Sequence, residues 1–198
     1  MNAFHQSATE DGLLHGIEIA NGDAYYPNAH RIAMENDLAL IGVSDVHELI
    51  DWVYRQEADH NPGHRPVTLA LAEEDSLQGV KEALFAKRTI VWWKDVLIGR
   101  QAHIDELLAA PLSIDSVDRT PWGIKVNIRN ISDAPFQVIE RSGVPLTSQA
   151  SIIEIAPNDI TGVTMKGKSL IAPIALNFEV LNALVAPNTP ARVSLTRP

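Results

Sequence analysis

Residues 38–52, LALIGVSDVHELIDW, decide how the first half of this chain is read. The apolar run from Leu38 to Val43 has the length of a buried strand, and it stops at Ser44-Asp45-Val46-His47. On extended backbone, side chains two residues apart point to the same side. Asp45 and His47, just past the carboxyl end of a strand, could then face one cation. In α/β sheets and barrels that end is where sites are built. The competing reading is that Asp45 caps a helix through DVHELIDWVY and His47 is a solvated surface residue, because so short a motif also arises by chance.

The flanking segments alternate strand and helix. HGIEIAN (15–21) reads as a strand with Ile17 and Ile19 on one face and Glu18 on the other. YPNAHRIAMEND (26–37) reads as a helix entered through Pro27, a favourable first-turn residue. VTLALA (67–72) and TIVWW (89–93) read as strands. Between them, DSLQGVKEALFAKR (75–88) is the clearest helix. Asp75 or Ser76 can cap it, Leu77, Val80 and Leu84 recur at helical spacing, and Lys87 and Arg88 suit its C-terminal dipole. Such alternation predicts an α/β layer or barrel with parallel strands.

From Leu112 the helical period vanishes. GIKVNIRN, PFQVIE, SIIEIAP, DITGVTM, IALNFEVLN and ARVSLT are short, mostly alternating, and separated by turns such as Ser132-Asp133-Ala134-Pro135 and Ala186-Pro187-Asn188. This spacing predicts a small β-sandwich of about six to eight strands. The junction falls in LLAAPLS, which divides the chain into an α/β part, 1–110, and a β-sandwich, 111–198.

Composition separates the same two parts. The net charge is −9, yet residues 1–110 carry 8 Lys/Arg and 18 Asp/Glu, whereas 111–198 carry 8 and 7. All seven histidines lie in the first part. Carboxylate and imidazole are cation ligands, so a metal belongs there. The acidic balance argues against a nucleic-acid partner. Without cysteine there is no disulfide, thiolate zinc site or thiol nucleophile. No apolar run has the length of a membrane span, and MNAFHQSATEDG has neither the basic start nor the apolar core of a signal peptide. Localisation stays open.

LIGVSDVHELID (40–51) resembles the closing metal motif of the polymerase and histidinol phosphatase (PHP) superfamily, a strand ending in Ser-Asp-x-His. Residues 13–45 resemble that family's late strand–helix–strand unit. Residues 64–100 are similar to a branch in which a PHP phosphoesterase domain precedes a β-rich domain, and VNIRNISDAPFQV and FEVLNALVAPNTP resemble that appended domain. The likeness runs from about Gly12 onward and rests on the ordered series of segments. It implies a fold class of α/β plus all-β: the last strands and helices of a distorted (β/α)7 barrel, followed by a β-sandwich. It also implies a metal-dependent phosphoesterase using zinc, manganese or iron, with Asp45 and His47 as the last two ligands, acting on a phosphate-ester small molecule by metal-activated water. Complete relatives are often exported.

The departure from the family is equally specific. A PHP enzyme opens with a His-x-His strand, and this chain has none; its other histidines are His5, His15, His30, His60, His64 and His103. The expectation is an incomplete barrel, inactive by itself, whose remaining ligands come from a missing N-terminal PHP segment or from self-association. Half a barrel should expose strand edges and apolar faces. Glu18, Asn21, His64 and Arg65 are candidates for the surroundings of the metal or the substrate side, although Asn21-Gly22 is also a turn sequence and His64-Arg65 a solvated pair. Arg100 has similar standing. Tyr25, Tyr26, Trp52, Trp92 and Trp93 form a stacking set on paper, but aromatics more often pack. The alternatives are a non-catalytic binding or assembly module carrying a remnant motif, and an unrelated α/β protein in which Ser-Asp-Val-His is coincidental.

Overall fold

The structure, a computed structural model, describes residues 1–54, 65–147, 151–166 and 174–197. The chain is mixed α/β and divides into two compact units, 1–103 with 184–189, and 104–183 with 190–198. The composition shift had placed the junction at 110/111.

In the first unit, α1 (Ala3–Glu10) starts where the Asn2 side chain accepts the His5 N–H. Strand β1 (Gly16–Asn21) turns through Gly22-Asp23 into β2 (Ala24–Tyr25) and pairs in parallel with β3 (Ala39–Val43). Gly22 supplies the positive φ, +52°, that the turn requires. Helix α2 (Pro27–Glu35) connects β2 to β3, with Pro27 at its first turn. The short α3 (Ile50–Val53) follows, then β4 (Val67–Ala70), α4 (Leu77–Phe85), β5 (Thr89–Trp93) and β6 (Val96–Gly99).

Among the described residues, the expectation of parallel strands holds for the β1–β3 pair alone. β4 pairs antiparallel with β5, and β5 antiparallel with β6. The β5–β6 turn is too short for a crossover, and hydrophobic period does not encode strand direction. Side chains couple β3 to this second set. The Thr68 hydroxyl accepts from Gly42 N at 2.9 Å and donates to Gly42 O at 3.0 Å, and Thr89 Oγ1 accepts from Leu40 N at 3.1 Å. The approach is close at Gly42, where a Cβ would lie 2.4 Å from Val91 Cγ1.

Ile19, Ala20, Ala33, Leu38, Leu40, Val91 and Ile98 make the core, with Leu184 packed against them. Ser76 caps α4 by accepting the Gly79 N–H at 3.0 Å. The expected inner face of that helix is not all inside: Leu77 is 88% exposed and Val80 40%, while Ala83 is buried. Helical spacing marks an apolar face; it does not supply something to cover it.

The second unit is β-rich. β7 (Leu112–Thr120), β8 (Gly123–Asn130) and β11 (Asp159–Met165) form one antiparallel sheet in the order β11–β8–β7. β9 (Phe136–Glu140), β10 (Ile153–Ile155), β12 (Ile174–Ala186) and β13 (Thr189–Arg197) form the other set, in the order β10–β9–β12 with β13 on β12. These are seven strands among the described residues, and burial alternates along β8 and β13 as a half-covered sheet requires. Ile124, Val126 and Ile128 face inward from β8, as do Ala191, Val193 and Leu195 from β13. The buried Asn130 side chain ties two loops: its amide donates to Ala134 O and Ala156 O, and its Oδ1 accepts from Ser132 N and Oγ.

Candidate metal centre

Because β1 and β3 run in parallel, their carboxyl ends lie side by side. Asn21 is in register with Val43, and Gly22 N donates to Val43 O at 3.0 Å. Ser44 to His47 emerge at this shared edge. Asp45 has φ +51°, so the backbone there is left-handed and not extended. Asp is one of the few residues that adopts this region readily. His47 Nε2 lies 3.4 Å from Asp45 Oδ1, and the side chains are 85% and 58% exposed respectively. The two groups do converge, but through a turn at Asp45 and not through strand alternation. The capping alternative also fails: α3 begins only at Ile50, and its N-cap is Leu49 with no side-chain bond.

Surrounding groups hold this edge in shape. Tyr54 O–H donates to Ser44 O at 3.1 Å, the peptide just before Asp45. Burial raises the phenol pKa, the Asp23 and Asp45 carboxylates add to the rise, and Arg65 opposes it. Tyr54, Asp23, Asp45 and Arg65 therefore share one electrostatic neighbourhood. Trp93 Nε1 donates to Gly22 O at 3.0 Å, and Lys94 lies 3.6 Å from Asp23.

The remaining candidates separate. Glu18 is exposed on β1, with Oε1 accepting from Asn21 Nδ2 at 2.8 Å, so these two are engaged with each other, and Asn21-Gly22 leads into the hairpin turn. His64 lies outside the described residues. Arg100 is half-buried and engaged: Nη2 donates to Asp37 Oδ1 at 2.8 Å and to Leu38 O at 3.2 Å. Tyr25 and Trp93 pack together, ring centroids 5.8 Å apart, while Tyr26 and Trp52 are exposed. Sequence inspection had not singled out Tyr54 or Asp23; a tyrosine nine residues beyond Asp45 carries no local signal for a bond back to Ser44.

One carboxylate oxygen and one imidazole nitrogen fit one side of a divalent cation's coordination shell. Zinc sites take three or four protein ligands. Among the described residues no group of three His, Asp or Glu side chains could hold a metal ion. Among the described residues, the donors present do not make a whole metal site.

A family model described as an Ig-like domain matches residues 114–196. The whole chain is similar to a solved two-domain protein from Bacteroides vulgatus ATCC 8482 that contains a predicted PHP-like metal-dependent phosphoesterase, with 30% sequence identity and a TM-score of 0.86. The match covers 100% of this chain and 57% of that one. No curated protein matches the chain. The class defined by fold and likeness is a mixed α/β unit joined to an Ig-like β domain, similar in both parts to a PHP-like two-domain protein. No helix of the described residues is long and apolar enough to cross a membrane.

Proposed function

We propose that this chain is part of a metal-dependent phosphoesterase, its first unit being the closing portion of a PHP-type barrel and its second the appended β domain. The observation that carries this reading is the convergence of Asp45 and His47, 3.4 Å apart, at the carboxyl edge of the parallel β1–β3 pair. The likeness to the Bacteroides protein, and the 43% of that protein outside the match (100 − 57), support a further segment that brings the other ligands. The exposed Leu77, Val80, Leu49 and Trp52 are the kind of apolar surface such a segment would cover. A divalent zinc, manganese or iron held there would supply charge stabilisation to a phosphate ester. Asp45 and His47 would hold it, and Tyr54 would keep the Ser44–Asp45 turn in place. Glu18, Asn21 and Arg65 belong to the surroundings of that edge. A phosphate-ester small molecule is the substrate class.

A second reading, a non-catalytic binding or assembly module with a remnant motif, is favoured by the lack of a three-ligand group among the described residues. The test joins this chain to the N-terminal portion of the Bacteroides protein, in one chain or as separate pieces, loads zinc or manganese, and assays a panel of phosphate esters. Metal-dependent hydrolysis that Asp45→Asn and His47→Ala each abolish supports the first reading. Hydrolysis untouched by both substitutions removes the basis for it.

A further inference from the structure

The second unit carries a groove along a strand edge, away from the candidate metal centre. Helix α5 (Gln101–Ala109) presents Asp105, Leu108 and Ala109, spaced i, i+3 and i+4 and so on one face, to a hollow of about 340 Å³. The opposite wall is β13 from Arg192 to Leu195, and all of these residues belong to the second unit. Val193 and Leu195 have buried side chains, whereas Arg192 and Ser194 are exposed. Side chains alternate across a strand, so four consecutive residues line one hollow when it follows the strand's backbone edge. Among the described residues β13 pairs with β12 alone, and its other edge carries no strand.

The chemistry of the walls selects an occupant. A strand edge offers backbone donors and acceptors in a row, and four residues of β13 span about 13 Å, room for a matching length of extended chain. On the helix side the lining is apolar at Leu108 and Ala109, with Asp105 beside them. A second hollow, of about 400 Å³, shares Arg192, Val193 and Ser194 and adds Arg141, Asn177 and Phe178; among the described residues no carboxylate lines it. Its polar groups are held in place. Arg141 Nε donates to Glu179 Oε2 at 2.7 Å, and Arg141 N donates to Asn177 O at 2.8 Å. Asn177 N donates to Ser142 Oγ at 2.7 Å, and Ser194 Oγ donates to Asn177 Oδ1. Two guanidinium groups there attract acidic side chains, and Asp105 on the helix side repels them. A second copy of this chain fits less well, because two β13 strands edge to edge would bring Arg192 of each copy to one seam, where like charges oppose pairing.

We propose that the groove between α5 and the free edge of β13 binds an extended peptide of another protein as an added strand, its alternate side chains apolar toward Leu108 and Ala109 and acidic toward Arg192 and Arg141. Backbone bonds along β13 supply affinity, and the alternation supplies specificity. This surface lies in the β domain and does not rest on the phosphoesterase reading. It gives the β domain a role in recruiting a partner chain.

The probe is a short blocked peptide of alternating valine and glutamate, titrated into the full chain and followed through the backbone amide resonances. Saturable shifts should gather on β13 from Arg192 to Leu195 and on α5 from Asp105 to Ala109, with slowed hydrogen exchange along β13. Lysine in place of glutamate in the peptide should weaken binding about five-fold, the size of one cross-strand charge pair. Arg192→Glu should reverse that preference, a gain that a misfolded variant does not imitate. Methylating the peptide nitrogens of one alternate set should abolish binding by the unmodified chain, while methylating the other set leaves it, because only one set faces β13. No saturable shift at β13, equal binding of the two peptides, tolerance of methylation at either set, an Arg192→Glu chain that keeps the glutamate preference, or β13 shifts that grow with chain concentration in the absence of peptide would each overturn the proposal.

Discussion

Lowering the pH through 6.5 should destabilise the first unit by an amount that His30 sets. Burial, and then the nearby Arg100 charge, lower the His30 pKa from 6.5 to about 4. The unfolded chain therefore binds a proton near pH 6.5 that the folded chain refuses until about pH 4. Between these values the unfolded state holds more protons, so stability falls as pH falls, and it changes little from this source above 6.5 or below 4. At about 1.4 kcal/mol per pKa unit, the full effect is ~3 kcal/mol. Asp37 works in a separate window. Hydrogen bonds from Lys87 and Arg100 hold its carboxyl below the usual value of 3.8, so its contribution is complete above that value and is lost only at lower pH. The assay is urea unfolding at several pH values from 7.5 to 4.5 for the unmodified chain and for His30→Gln. Gln accepts from Tyr25 but does not titrate, so the stability difference between the two proteins should shift by ~2–3 kcal/mol across the range. In parallel, the His30 ring resonance should stay at its neutral position down to pH 5. A His30 resonance titrating near 6.5, together with a pH-independent difference between the proteins, would refute the buried, neutral imidazole.

Three further outcomes are expected. Gly42→Ala places a methyl 2.4 Å from the buried Val91 Cγ1, and the Thr68 bonds on both sides of the Gly42 peptide leave little room to shift; urea unfolding should show a loss of about 1–3 kcal/mol. Asn130→Ala removes the acceptor of Ser132 and the donor to two half-buried loop carbonyls, so calorimetry should show the second unit losing about 1–3 kcal/mol while the first keeps its Tm. In the isolated chain Asp45→Asn and His47→Ala should each leave stability within about 0.5 kcal/mol, because both side chains are exposed. Zinc titration of that chain should show weak binding at best, and tight stoichiometric uptake would mean that more ligands gather than Asp45 and His47.

Much of the local structure was legible in advance because its causes are local. Pro27 starts a helix, Ser76 caps one, and the alternation in GIKVNIRN becomes the alternating burial of β8. Asp45 and His47 of Ser-Asp-Val-His lie 3.4 Å apart, but not for the reason that strand alternation suggests. Strand periodicity does not apply at Asp45, whose left-handed backbone brings the groups together. Tyr54 also reaches back to the Ser44 carbonyl, a contact that no window of the sequence reports.

Residue order and composition alone establish the kind of chain this is: an acidic, histidine-bearing α/β part followed by a β domain, with one short acid–imidazole motif at a strand's end. Composition and hydrophobic period carry that information, because each residue's preference for strand, helix, turn or cation acts on its own neighbourhood. Which strands run antiparallel, which apolar face of α4 stays open, and the burial of His30 follow from the folded unit as a whole. Those outcomes depend on groups far apart in the chain, such as Leu38 with Arg100 and Gly42 with Thr68. Their meeting is governed by burial and hydrogen-bond satisfaction over the whole unit, which local pattern does not encode.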